Sequence, residues 1–102
     1  MEERYFLREE IVELFDCDAE FLDQLEAEEL VSPVRVDPQS PTAFPPDQVE
    51  RIRVITNLVR DLDVNLPGCE VILRMRENMI RMQEQFDRIL GALAEEFKAR
   101  SR

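Results

Sequence analysis

Apolar positions recur at helical spacing almost from the start of the chain. In LREEIVELF, Leu7, Ile11, Leu14 and Phe15 lie three or four apart with Glu9, Glu10 and Glu13 between them, which predicts an amphipathic helix. Asp16-Cys17-Asp18 interrupts the pattern. Asp18 is a suitable N-cap and Glu20 suits a first helical turn, so a second helix is expected through AEFLDQLEAEEL, burying Leu22, Leu25 and Leu30. Two short helices joined by a tight turn form a helix-turn-helix pair.

The stretch VSPVRVDPQSPTAFPPDQV holds five of the six prolines and cannot continue a helix. Val34 and Val36 alternate with Arg35, predicting a short strand pair, a wing, that closes near Phe44. Pro46 and Asp47 open a third helix with the stripe Val49, Ile52, Ile55, Leu58, Val59 and Leu62. After Asp63-Val64-Asn65-Leu66-Pro67-Gly68, with Asn65 as cap, a long helix runs from about Pro67 to Ala99. Ile72, Met75, Met79, Met82, Phe86, Ile89 and Leu93 alternate three and four apart, and Leu73, Ile80 and Leu90 widen the stripe. About 30 helical residues reach roughly 45 Å, more than the preceding elements can cover. A homodimer seam built from those seven residues is the expectation, against packing within one chain or a bundle with the third helix. The fold class expected is all-α with a small β wing. Residues 1–62 form the helix-turn-helix domain with its wing, and residues 63–102 the long dimerisation helix.

Composition narrows the chemistry. The chain has 102 residues and 12.0 kDa, with 44% hydrophobic and 35% charged residues, so it is one core-forming domain with an extension. It has no apolar run of bilayer length, and MEERYFLREE lacks the character of a signal peptide, so a cytoplasmic protein is expected. Two cysteines in that setting point to a reducing compartment. Histidine is absent, which removes the commonest general base and metal ligand.

The net charge of −10 is wholly carried by residues 1–31, which hold twelve acids and two bases, Arg4 and Arg8. Residues 32–102 hold eleven of each sign. Such segregation suits an interaction face for a basic partner, although a solubilising surface would also be acidic.

No catalytic, metal or cofactor site emerges. Cys69 has no paired cysteines after it and reads as a small buried hydrophobe. Cys17 reads as a partly buried thiol whose pKa the flanking aspartates raise. Met75, Met79 and Met82 belong to the seam rather than to a binding groove. The acid pairs Glu9/Glu10 and Glu28/Glu29 point in different directions on a helix. Gly68 and Gly91 are the only glycines, so no phosphate-cradling loop exists, and Ser32, Ser40 and Ser101 have no histidine to activate them. A non-enzymatic protein is expected.

The order helix, turn, helix, proline-broken wing, helix, long helix resembles the MerR superfamily. LEAEELVSPVRV is similar to the end of a MerR second helix and the start of its wing, and FPPDQVERIRVI to the lead into the third helix. DLDVNLPGCEVILRM resembles a "GVNLAGVEVIL" region of HspR-type heat-shock repressors and CbpM-type chaperone modulators, through Val64, Asn65, Leu66, Gly68, Val71, Ile72 and Leu73. Where DNA-binding members present Arg, Thr, Arg and Tyr on the second helix, this chain has Glu20, Phe21, Asp23 and Gln24. Duplex DNA is a polyanion and would be repelled by that surface. The resemblance therefore implies a CbpM-type inhibitor of a DnaJ-like co-chaperone that binds the basic J-domain. Asp18, Glu20, Phe21, Asp23, Gln24 and Glu28 would form the contact face, with Phe21 as an apolar anchor if it is exposed rather than packed on helix one. The alternative is a MerR/HspR-type DNA-binding transcriptional regulator. The superfamily resemblance suggests antiparallel pairing of the long helices.

Overall fold

The computed structural model describes residues 4–101. Its elements follow in the order β1 (Phe6–Leu7), α1 (Arg8–Phe15), α2 (Ala19–Ala27), β2 (Ala43–Phe44), α3 (Pro46–Leu62) and α4 (Leu66–Arg100). The chain is mostly helical, with one small antiparallel sheet and a long C-terminal helix, the layout of a winged helix-turn-helix. It divides into two units, Met1–Glu70 and Val71–Arg102.

Acidic residues end three of the helices. Asp16, Glu29 and Asp63 adopt φ of 49°, 59° and 54°, the left-handed region that usually belongs to glycine. After α2, the Glu29 N–H donates to the Glu26 carbonyl at 3.0 Å and the Leu30 N–H to the Leu25 carbonyl at 2.9 Å. This is a Schellman closure, and Leu25 and Leu30, both buried, form its apolar contact. The second helix thus stops at Ala27 instead of running on to Leu30 as expected, while Leu30 is still buried. Glu29→Gly removes the Cβ strain at this cap and is expected to stabilise the unit by about 0.5–1 kcal/mol. A thermal melt that moves down rather than up would contradict it.

The wing differs from the expectation in two respects. Val34 and Ala43 exchange two backbone hydrogen bonds of 2.8 Å, the narrow hairpin foreseen near Phe44. Ala43–Phe44 also pairs on its other edge with Phe6–Leu7, in the register Phe6↔Phe44 and Leu7↔Ala43. Leu7 is therefore an exposed strand residue rather than the start of helix one. Val36 lies outside the pairing and is exposed.

The core of the first unit is Ile11, Leu22, Leu25, Leu30, Val31, Ala43, Phe44, Ile52, Ile55 and Cys69. Leu14 is exposed because α1 buries only the face of Ile11, and Leu14 is rotated about 100° from its half-buried neighbour Phe15. Leu62 is 68% exposed, since the buried positions of α3 end at Thr56.

The α3 helix also satisfies turn backbone through polar hooks. Arg51 Nε donates to the Leu30 carbonyl at 2.9 Å, and Gln48 Oε1 accepts from the Ser32 N–H at 2.8 Å. An Arg60 guanidinium N–H donates to the Asp16 carbonyl at 2.9 Å. The bond to the Leu30 carbonyl is part-buried and satisfies a group screened from water, whereas the other two lie at the exposed surface and tie the turns to α3.

Asn65 caps α4 as expected, its Oδ1 accepting from the Gly68 N–H at 2.8 Å and its carbonyl from the Cys69 N–H at 2.9 Å. A Cβ on Gly68 would lie 2.8 Å from Val64 Cγ1, so any larger residue there would force the Val64 side chain to shift. In the second unit, Met75, Met79, Met82, Phe86, Ile89 and Leu93 are 57–68% exposed, and Phe97 is 74% exposed. At about 100° per residue these positions fall on one straight face.

Candidate functional site

The acidic face is built by α1, its turn and α2, and only part of its charge is neutralised. Arg4 pairs with Glu10 and lays its guanidinium 4.3 Å from the Phe6 ring centroid. Arg8 pairs with both Asp23 and Glu26, and donates to the Ala19 carbonyl at 3.2 Å. The two bases of the acidic segment are thereby spent on Glu10, Asp23 and Glu26. Glu9, Glu13, Asp16, Asp18, Glu20, Glu28 and Glu29 make no ion pair among the described residues.

Glu20, Gln24 and Glu28 are exposed and stand one turn apart on one side of α2. Asp23 is exposed beside them, and its pairing with Arg8 ties it to the α1–α2 packing. Asp18 occupies the N-cap of α2 but makes no side-chain capping hydrogen bond, so its carboxylate stays available. Phe21 is half-buried. It lines a cleft of about 310 Å³ together with Asp16, Cys17, Asp18, Thr56, Val59 and Arg60. The α3 residues of this cleft were not foreseen, because helical periodicity says nothing about which residues meet across some forty positions of chain.

The wing adds one exposed cation, Arg35, which makes no ion pair among the described residues. Arg35 donates to the Ser40 carbonyl at 2.6 Å. Asp37 accepts from the Ser40 hydroxyl at 2.7 Å and from the Gln39 N–H at 2.9 Å. Those two donors, the hydroxyl foremost, hold the Asp37 carboxyl below the usual aspartate range. The wing tip is therefore a self-contained hydrogen-bonded turn whose single arginine is engaged within it.

Both thiols are pushed towards the neutral form. For Cys17 the leading cause is burial, opposed by the nearby Arg60 guanidinium, and the flanking aspartates add only a smaller upward push. The upward push expected from the aspartates is present, and burial adds the larger one. Cys69 is fully buried, and burial alone raises its pKa, in keeping with a small core hydrophobe. No cluster of three or more Cys, Asp and Glu suited to a metal ion exists among the described residues. Among the same residues no helix is long and apolar enough to cross a membrane.

What this surface can do is electrostatic recognition. On the helix that would face a duplex in a DNA-binding winged helix-turn-helix, Glu20 is unpaired and Asp18, Glu28 and Glu29 stand unpaired at its ends; these carboxylates repel phosphate while attracting a cationic protein surface. Long-range fields of this kind act mainly on association rate and partner choice.

Residues 6–89 match the family model for MerR HTH family regulatory proteins. No curated protein and no solved structure gives a match.

Proposed function

The chain belongs to the MerR HTH family of regulatory proteins, and from that premise we propose that it is a non-enzymatic protein-binding regulator rather than a DNA reader. Its partner in this reading is the basic J-domain of a DnaJ-like co-chaperone, which it inhibits in the manner of CbpM-type modulators. The observation that carries the reading is the array of exposed, unpaired carboxylates on α1 and α2, with both local arginines already engaged. The resemblance of DLDVNLPGCEVILRM to the CbpM and HspR region supports the choice of partner class. The exposed apolar face of α4 supports a homodimer, which presents two such acidic surfaces.

Titrating a labelled J-domain tests the proposal. Binding is expected at low ionic strength and weakens as salt rises, because the contributing charges are exposed. The double reversal Glu20→Lys with Glu28→Lys is expected to weaken the complex about tenfold or more, each rim charge contributing up to about 1 kcal/mol and reversal adding repulsion. Helical content stays intact, since neither side chain is ion-paired. Asp23 is the wrong position to reverse, because a lysine there would oppose Arg8. Absence of binding at low salt, or retardation of duplex DNA at physiological salt, would defeat the reading.

A further inference from the structure

The cleft beside Phe21 has a chemical peculiarity that packing does not explain. Thr56 is the one buried residue of its lining, 5% exposed. The Thr56 hydroxyl has no hydrogen-bond partner. A buried hydroxyl without a partner is destabilising, and valine would fill the same volume without that penalty. The rest of the lining is divided. Phe21 and Val59 supply apolar wall, while Asp16 and Asp18 supply carboxylates that no cation among the described residues pairs. Arg60 stands at the same cleft with its guanidinium turned to the Asp16 carbonyl.

We infer that this cleft is the anchor pocket for an arginine side chain of a cationic protein partner. The inference rests on the protein-binding reading above and deepens it by naming the side chain received. An aliphatic stem fits against Phe21 and Val59, a guanidinium stacks on the Phe21 ring, and its five donors serve the Asp16 and Asp18 carboxylates and, once a χ1 rotation brings it from beneath the cleft wall to the surface, the Thr56 hydroxyl oxygen. An apolar guest would leave the hydroxyl unpaired. An anionic guest would meet two carboxylates against one guanidinium, and both carboxylates belong to the segment that carries the whole net charge.

The test uses the isotope-labelled full chain and three blocked probes, acetyl-Ala-Arg-Ala-amide, acetyl-Ala-Leu-Ala-amide and acetyl-Ala-Glu-Ala-amide. Saturable resonance shifts at Phe21, Thr56 and Val59 are expected with the arginine probe and not with the glutamate probe. Arg60→Gln removes a like charge and tightens the arginine probe about fivefold. Thr56→Val weakens it while raising thermal stability, a combination that loss of fold does not produce. Equal shifts with the leucine probe, or a glutamate response that Arg60→Gln abolishes, would overturn the arginine assignment. The partner reading is separable. A J-domain that binds but ignores Phe21→Ala, Thr56→Val and Arg60→Gln sinks the pocket alone. A chain that takes the arginine probe in the cleft but binds no J-domain keeps the pocket and loses that partner.

Discussion

Phe44→Ala is expected to unfold the first unit at 37 °C. Phe44 is the largest of the fully buried side chains and sits on the strand that joins Phe6 on one edge to the wing on the other. Truncating a buried phenylalanine costs about 3–5 kcal/mol, through lost transfer energy and the cavity left behind. A small domain has only about 5–15 kcal/mol in total, with short chains at the low end. The corresponding fall in melting temperature is roughly 12–40 °C for a unit of this size. Circular dichroism at increasing temperature measures it directly. A variant that melts within a few degrees of the parent would mean that the pocket around Phe44 collapses onto the gap, and that Phe44 does not hold the first unit together.

The second large effect concerns α4. Met79→Glu with Phe86→Glu is expected to abolish self-association. Both side chains lie near the middle of the exposed apolar face, and in a dimer each is buried twice, once per protomer. Burying one such side chain contributes about 1.5–3 kcal/mol, so four lost contacts amount to roughly 6–12 kcal/mol before the cost of desolvating four carboxylates. Analytical ultracentrifugation at micromolar concentration should show a dimer for the parent and a monomer for the variant. A parent that sediments as a monomer would remove the dimer from the proposal. The first unit is the internal control, since its core contains neither residue and its melt should be unchanged.

Helix placement was legible in the residues because it depends on local rules. Pro46 opens α3 and Asn65 caps α4, and each is a property of a few neighbouring positions. The α2 terminus was not legible, because the left-handed position fell to Glu29 rather than to glycine or asparagine. Strand β1 escaped for another reason. Two residues carry no period, and Phe6–Leu7 becomes a strand only when Ala43–Phe44 is there to pair with it. Apolar periodicity also overcounts the core, for Leu14 and Leu62 share the helical spacing of Ile11 and Ile55 yet face outward. It undercounted the α4 face, which continues through Phe97.

Of the expected contact residues, Asp18, Glu20, Gln24 and Glu28 are exposed and free of ion pairs, whereas Asp23 is engaged by Arg8. Phe21 resolves into neither of the two extremes considered for it. It is half-buried at a cleft whose other wall comes from α3. A count of carboxylates gives the sign of a surface, but which of them are already engaged depends on where Arg4 and Arg8 reach, and that is tertiary information.

The pairing of Phe6 with Phe44 carries a consequence for synthesis of the chain. The ribosome adds about 5–20 residues per second, so a nascent β1 waits roughly 2–8 s for its partner strand. During that interval α1 and α2 have emerged without the strand and the helix that complete their core. The repulsion among their carboxylates, unhelpful to compaction, then discourages neighbouring nascent chains from sticking to one another.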